Sequence, residues 1–559
     1  NAIGFNTSSA LLLDGDLVFA VEEERLTREK RTRKFPIKGV SESLRTSGLR
    51  LDDLEAVAIA WNPAINLESF SAPHSERARH LGEVFYSVPN YLMRLKPDNS
   101  VLLTQQVLDF LDGSRTRIYY VPHHLAHASN FFFSPFEEAA IMTVDAFGEK
   151  HSLTYSEGHG NKIRMLGSQE FPHSLGAFYS TMTELLGFQA QSDEWKLMGA
   201  SSYGDSERYY DKLCSLIQFK DDGLFELDLS YFNFYLFHRP HRYTEKLCAL
   251  LGLQPNIPEQ PLIQEYYDLA AATQRATEDI YFHAINYLQS MTGLSKLVLA
   301  GGVALNSVAN GKLLHKTPFK EVFIPPCPDD SGAGLGAAFY AHHQIHEKPR
   351  QFVMEANYYG PGYTDESIQQ HLQEKKIKHR VVSDPATEAA RLIASGKILA
   401  WFQGRLEFGD RALGNRSILA DPRDVSMKDR VNETVKYREP FRPFAPSILL
   451  EFLDEYFVDA VRSPYMENVF PIRAEKQDMI PAVVHVDGTG RPQTVTKEIN
   501  PLFWQLIDEF RKLTGVPLVL NTSFNLKGEP IVSSPQDALR TFFTSGLDAL
   551  VIGNCLIEK

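Results

Sequence analysis

The chain has 559 residues, too many for one ordinary domain, and this length predicts two to four. Its 43% hydrophobic content can fill large cores, yet no run approaches the roughly eighteen uninterrupted apolar residues that suggest a membrane span. A net charge of -13 disfavours nucleic acid as the main partner, because surfaces that track phosphate backbones are basic. Cys214, Cys248, Cys327 and Cys555 are scattered without a CxxC pair, which points to a reducing compartment and no disulfide framework. No signal peptide is visible in a sequence that opens at Asn1 without Met, so a cytoplasmic location is expected.

In chain order, residues 2–5 read as a short buried strand, followed by a polar loop, Asn6 to Ser9. Leu11 to Leu13, the turn Asp14-Gly15-Asp16, and Leu17 to Val21 form a predicted hairpin. Its polar loop could offer backbone N–H groups to phosphate; a plain edge hairpin is the alternative. The charged run from Glu22 to Lys34 reads as a solvated face. Segments 62–120 and 205–262 read as insertions that give specificity, and the aromatic run Tyr231 to Phe237 as core or wall.

Pro122 to Ala128 reads Pro-His-His-Leu-Ala-His-Ala. On a helix, His123 and His127 project from one face and can offer two neutral nitrogens to one divalent metal. Carboxylates stand where a split site needs them. Asp145 lies where an apolar strand meets a polar turn, and a second strand is expected from Ser152 to Tyr155. Asp330 opens a Gly-rich run leading into an apolar helix, at the mouth of a sheet where open α/β folds bind ligands. The strand–loop–strand pattern at both 2–21 and 139–156 suggests duplicated halves facing a cleft, as in actin-like nucleotide-binding folds.

Tyr266 to Gln289 is a long amphipathic helix. Lys296 to Asn306 is a buried strand running into Gly301-Gly302 and a predicted helix, where a ligand could approach the backbone. It matches neither the Rossmann nor the P-loop pattern. The polar texture of 344–359 and Gly360-Pro361-Gly362 mark a boundary between domains at 1–350 and 351–559. Beyond it, helices over 365–376 and 386–395 and strands over 378–382 and 398–403 make the class mixed α/β. Gly404 to Pro446 packs Arg405, Arg411, Arg416, Arg423, Lys428, Arg430, Lys436, Arg438 and Arg442 among apolar residues, so several of these cations should point into a pocket that holds carboxylate or phosphate. Leu518 to Glu529 ends in Asn521, Ser523, Asn525 and Lys527, a mix suited to a planar carbamoyl or carbonate group beside a phosphate.

Six stretches together resemble the O-carbamoyltransferase family of nodulation and antibiotic-tailoring enzymes. They are Glu23 to Arg28, His123 to Ala128, Lys196 to Gly199, Gly301 to Asn306, Gln403 to Arg416 and Asn521 to Pro530. The resemblance spans nearly the whole chain. It implies an N-terminal domain of two actin-like (ribonuclease-H-like) halves, similar to the tRNA threonylcarbamoyltransferase subunit, and a YrdC-like C-terminal domain. It implies that ATP, with Mg2+, and carbamoyl phosphate give carbamoyl-adenylate, whose carbamoyl group then passes to a hydroxyl of a small natural product. The implied roles are carbamoyl phosphate or adenylate binding by Arg405, Arg411, Arg416, Lys436, Arg438, Asn521, Ser523, Asn525 and Lys527. Nucleotide binding falls to Lys196, Gly301, Gly302 and Asn306, and a metal, most simply Fe(II), to His123, His127, Asp145 and Asp330. Arg411, Lys436, Arg438 and the two histidines would be catalytic. No nucleic acid or membrane partner is implied, and a homodimer is compatible.

The chain also departs from that pattern. Phe5-Asn6-Thr7 stands where the family carries His-Asp, leaving the base for the acceptor hydroxyl unnamed, and Trp195 replaces a glycine. Asp329 is an alternative to Asp330. Nitrogen as the acceptor, a small-molecule kinase of actin-like fold, and a nucleotide-binding module of a tRNA-modifying assembly are the competing readings.

Overall fold

The computed structural model describes residues 2, 4, 6–62, 103–236, 239–439 and 441–559. Most of the expected 62–120 insertion, half of the 2–5 strand and Phe237 of the aromatic run lie outside them. The first hairpin forms from Ser8–Leu13 and Asp16–Glu22, so the expected polar loop is half consumed by strand.

Two large sheets organise the chain. The first has five strands in the order Glu321–Phe323, Lys296–Ala300, Glu138–Gly148, His151–His159, Lys162–Glu170. Lys296–Ala300 runs parallel to both of its neighbours, while the last three form an antiparallel meander. Glu138–Gly148 buries Ala139 to Val144 without alternation, as a strand covered on both faces must. Helix Gln264–Thr292 covers this region with Leu269, Ala272, Ala276, Ile280, Ala284 and Leu288, a spacing of three and four that lays one continuous stripe on the core. Asp145 is not in a turn as expected. It sits inside the long strand, where the register shifts between Val144 and Gly148.

The second sheet has eight strands and carries the C-terminal region. Its order is Arg380–Val381, Cys555–Glu558, Ala549–Ile552, Leu399–Phe402, Arg416–Ala420, Leu518–Ser523, Ala445–Leu449, Gln493–Val495. Helices Pro385–Ala394 and Pro501–Thr514 pack against each other over it. Both begin alike: Asp384 and Asn500 accept the third residue's N–H, and proline takes the first helical position, where its missing donor costs nothing.

The mixed α/β class holds. Among the described residues, however, the first hairpin pairs only with itself, its edge taken by Ala20 N–H donating to the Tyr359 carbonyl. A third sheet contains Ala56–Ile59, Arg115–Tyr120 and Thr104–Asp109. After Gly301 the chain makes one 3-10 turn and a four-residue helix, not the longer helix expected. No described helix is long and apolar enough to cross a membrane.

The run from Glu22 to Lys34 is a solvated face only in its second half, where Glu29, Lys30, Arg33 and Lys34 are exposed. Glu22, Glu23, Glu24 and Arg25 are buried because the hairpin delivers them into a seam between the two regions. Glu23 accepts the N–H groups of Lys38 and Gly39, capping the next helix. Arg25 pairs with Glu22 and Glu24 and donates to the Gly409 carbonyl, and Arg28 donates to the carbonyls of Pro530 and Ile531.

Candidate metal centre and anion cavity

His123–Ala128 is a helix of six residues following Pro122. It packs against helix Asp330–Tyr340 and strand Glu138–Gly148, which brings the two carboxylates to the two imidazoles. His123 Nε2 lies 3.1 Å from His127 Nε2, 3.3 Å from Asp145 Oδ2 and 3.4 Å from Asp330 Oδ1. His127 Nε2 is 3.4 and 3.8 Å from the same oxygens. Donors bound at roughly 2.0–2.2 Å to one ion stand about 3–3.5 Å apart, so these separations are compatible with four donors to one ion. All four donors lie within 4.8 Å of one another, and both histidines are buried. The set fits a divalent ion of borderline hardness. Asp329 is not part of it, since its Oδ1 accepts the Ser331 hydroxyl.

The electrostatics agree. Burial pulls His123 down, but Asp330 and Asp145 outweigh it and push the ring up to about 9. Burial would raise Asp145, yet hydrogen bonds from His123 and His127 hold it well below the usual carboxylate range. The pocket thus favours positive charge between its carboxylates. His124 differs: burial, then the neighbouring histidines, drive it well below the ordinary range. Its nitrogens meet Thr143 Oγ1 at 2.7 Å and the His151 carbonyl at 2.9 Å, a structural role. Gly301 adopts φ +92 beside Val144, and Gly302 lies next to Asp145, so this glycine pair adjoins the candidate metal site. Asn306 exchanges hydrogen bonds with Gln274 and caps its short helix.

A cavity of about 1020 Å³ opens between the two regions. Helix Glu194–Ala200 and residues 271–278 form one wall; residues 410–445, 485–491 and 521–531 form the other. Lys30, Arg411, Lys428, Lys436, Arg438, Arg491 and Lys527 line it, and among the described residues none forms an ion pair with a carboxylate. Lys436 is 5% exposed and donates to Ser523 Oγ at 3.3 Å, the Asn525 carbonyl at 3.0 Å and Asn525 Oδ1 at 2.9 Å. Burial, with Arg438 and Arg442 close by, holds its ammonium well below the ordinary lysine range. Burial and then Arg442 lower Arg438 strongly, and burial followed by Arg411 brings Arg491 to about 9. Carboxylates such as Asp410, Glu439 and Asp487 also line the cavity, but the seven crowded cations form no ion pair with them, an arrangement that suits an anion. Asn521 donates through Nδ2 to the Ala412 carbonyl and Ser447, while its buried Oδ1 has no partner. Lys196 faces the same space and pairs with Asp193 and Glu439.

Arg405 and Arg416 are not brought to this cavity. Arg405 donates to the carbonyls of Gly360, Tyr359 and Val18. Arg416 is fully buried over the Phe402 ring at 3.6 Å and donates to carbonyls at Gln403, Gly404 and Asn415. Their five-donor forks pin loops. Lys428 and Arg442 of the Gly404–Pro446 cluster also line the cavity, and so do Lys30 and Arg491, which had not been singled out as ligands. Arg442 stacks at 3.8 Å on Trp195, the residue standing in place of glycine. Arg491 sits alone between Gly490 and Pro492, and no local pattern marks it. Burial and then the cavity-lining Asp410 push Asp329, next to Asp330, well above the usual range.

Comparison with known proteins decides the family. Residues 4–339 match the family model for the carbamoyltransferase N-terminus and residues 390–559 the one for the carbamoyltransferase C-terminus. The chain belongs to the carbamoyltransferase family. It is 38% identical to nodulation protein NolNO of Sinorhizobium fredii over all of this chain and 80% of that protein. It is 30% identical to nodulation protein U of Rhizobium tropici, over 93% of this chain and 89% of the relative. The 3'-hydroxymethylcephem-O-carbamoyltransferase of Amycolatopsis lactamdurans is 27% identical over 80% of this chain and 82% of that one. This carbamoyltransferase is therefore an enzyme of that kind. Among solved structures, the activator of 2-hydroxyisocaproyl-CoA dehydratase from Clostridium difficile aligns with a TM-score of 0.29 and 14% identity. The alignment covers 61% of this chain and 96% of that one, too weak a likeness to carry a fold or a ligand across.

Proposed function

We propose that this carbamoyltransferase is ATP-dependent and carbamoylates a hydroxyl of a small natural product through carbamoyl-adenylate. The observation that carries the reading is the set of seven cations without carboxylate partners around one cavity of about 1020 Å³. That volume matches or exceeds ordinary ligand pockets of roughly 300–1,000 Å³, leaving room for a nucleotide and a second phosphate compound. Water splits carbamoyl phosphate into carbamate and inorganic phosphate; the carbamate oxygen then displaces pyrophosphate from the α-phosphorus of ATP. Lys436, Arg438 and Arg411 are placed to neutralise the phosphate charge, and the unpartnered Asn521 Oδ1 to accept a carbamoyl N–H. The acceptor hydroxyl oxygen attacks the carbonyl carbon in the second step, releasing AMP and a proton.

In this reading residues 351–559 form a YrdC-like adenylating domain. Residues 1–350 form an actin-like transfer domain whose four donors hold Fe(II). Bound there, the ion would supply Lewis acidity toward the carbamoyl carbonyl. The name of the cephem relative, an O-carbamoyltransferase, supports a small hydroxyl acceptor. Pyrophosphate release from ATP by purified protein, with and without carbamoyl phosphate, tests the proposal. Release that requires carbamoyl phosphate is expected. ADP in its place would move the assignment to phosphoryl transfer.

A further inference from the structure

Glu149 lies at the turn joining strands Glu138–Gly148 and His151–His159. Its φ is +47, a left-handed backbone that strains a residue carrying a β-carbon. The turn would be relaxed with glycine, so the side chain is kept at a cost. That side chain is 3% exposed and forms no ion pair with Lys or Arg among the described residues. Its carboxylate accepts backbone N–H groups instead. Oε1 takes the N–H of Asn62 at 2.7 Å and of His123 at 3.0 Å, and Oε2 approaches the His123 N–H at 3.1 Å.

The His123 N–H is the first of its helix, so this contact fixes where the helix begins and how His123 is turned. The ring itself is boxed. Gly148 lies so close that a β-carbon there would overlap the imidazole, and the Trp61 ring stands edge-on at 5.9 Å. With both oxygens committed to N–H groups, Glu149 is not arranged as a fifth donor. We propose that Glu149 is a positioning residue of the metal centre, holding His123 Nε2 in register with the other three donors from a strained turn. This rests on the metal reading above.

The test uses Co(II) as a spectroscopic probe on full-length protein. Dissociation constants come from chelator competition, the donor geometry from visible absorption, and folding from Tm. Glu149→Gly removes the carboxylate while relaxing the turn. We expect it to stay folded yet bind Co(II) about 10–100-fold more weakly, with an altered spectrum. Glu149→Gln, which keeps an acceptor oxygen, should recover most of the affinity. A folded Glu149→Gly with wild-type affinity and spectrum would overturn the positioning role alone. Absence of Co(II) binding by the wild type would overturn the metal reading and this inference with it. Should the glycine variant not fold, a Glu149→Gln variant whose affinity and spectrum fall as far as those of Glu149→Ala would overturn it equally.

Discussion

His123 and His127 each commit one nitrogen to a point shared with Asp145 and Asp330, and no other pair of histidines is so placed among the described residues. Replacing His127 with alanine should reduce bound metal to background by elemental analysis; a variant that kept the wild-type content would remove the site. The cationic cavity makes a contrasting pair of forecasts. Arg438→Ala should slow carbamoyl-phosphate-dependent pyrophosphate release by about 10²–10³-fold, the usual cost of deleting one preorganised charge-stabilising donor. Arg405→Ala should leave that rate near wild type per folded molecule but lower Tm, since three carbonyls lose their donor at about 1–3 kcal/mol each. An unchanged Tm with a lost rate would return Arg405 to the binding site. The sequence made His123 and His127 legible because helical spacing alone aims i and i+4 side chains together. It could not separate Arg405 and Arg416 from Arg411 and Arg438. A guanidinium facing carbonyls and one facing an anion have the same neighbours in the chain and differ only in which loop folds over them.

Elements with explicit start signals were readable, and those shaped by partners were not. The helices near 266–289, 365–376 and 386–395 appear close to their expected bounds, since each combines an apolar stripe with a capping or stop residue. The helix expected after Gly302 shrinks to four residues, and Asn306 there serves Gln274 as much as the backbone. Glu22 to Arg25 misled because a charged run is ordinarily solvated; here Glu22 and Arg25 meet the Gly409 backbone from far along the chain, Glu23 caps the next helix, and Glu24 takes the Arg31 N–H and the Arg25 guanidinium. A cap prediction belongs at this scale. Asn500 accepts the Phe503 N–H at 3.1 Å and reaches Asn415 at 3.0 Å. Asn500→Ala should therefore destabilise the C-terminal sheet by about 0.5–2 kcal/mol in denaturant unfolding followed by near-ultraviolet circular dichroism. No shift in the midpoint would mean the helix does not depend on its cap.

Across the whole molecule, a chain of net charge -13 sets seven cations without ion pairs around one cavity, where small anions can be concentrated while the exterior repels polyanions. The seam that frames this cavity contains Glu22, which burial, offset in part by Arg25, pushes up from 4.5 to about 7. A carboxyl whose folded value lies above its unfolded value stabilises the fold fully below about pH 4.5 and loses that contribution as pH rises through about 7. The loss amounts to about 3 kcal/mol at most. Glu22→Gln should gain in Tm relative to wild type between about pH 5 and pH 8. A difference that stays flat with pH would show that the group does not titrate in the fold.

The central claim is that adenylation in the cationic cavity is separate from transfer at the metal centre. Its most direct test is mass-spectrometric detection of carbamoyl-adenylate in a single turnover without acceptor, for the wild type and for His127→Ala. The adenylate, with pyrophosphate, is expected from both proteins. ADP as the sole nucleotide product, or an adenylate that vanishes when His127 is removed from an otherwise folded protein, would contradict it.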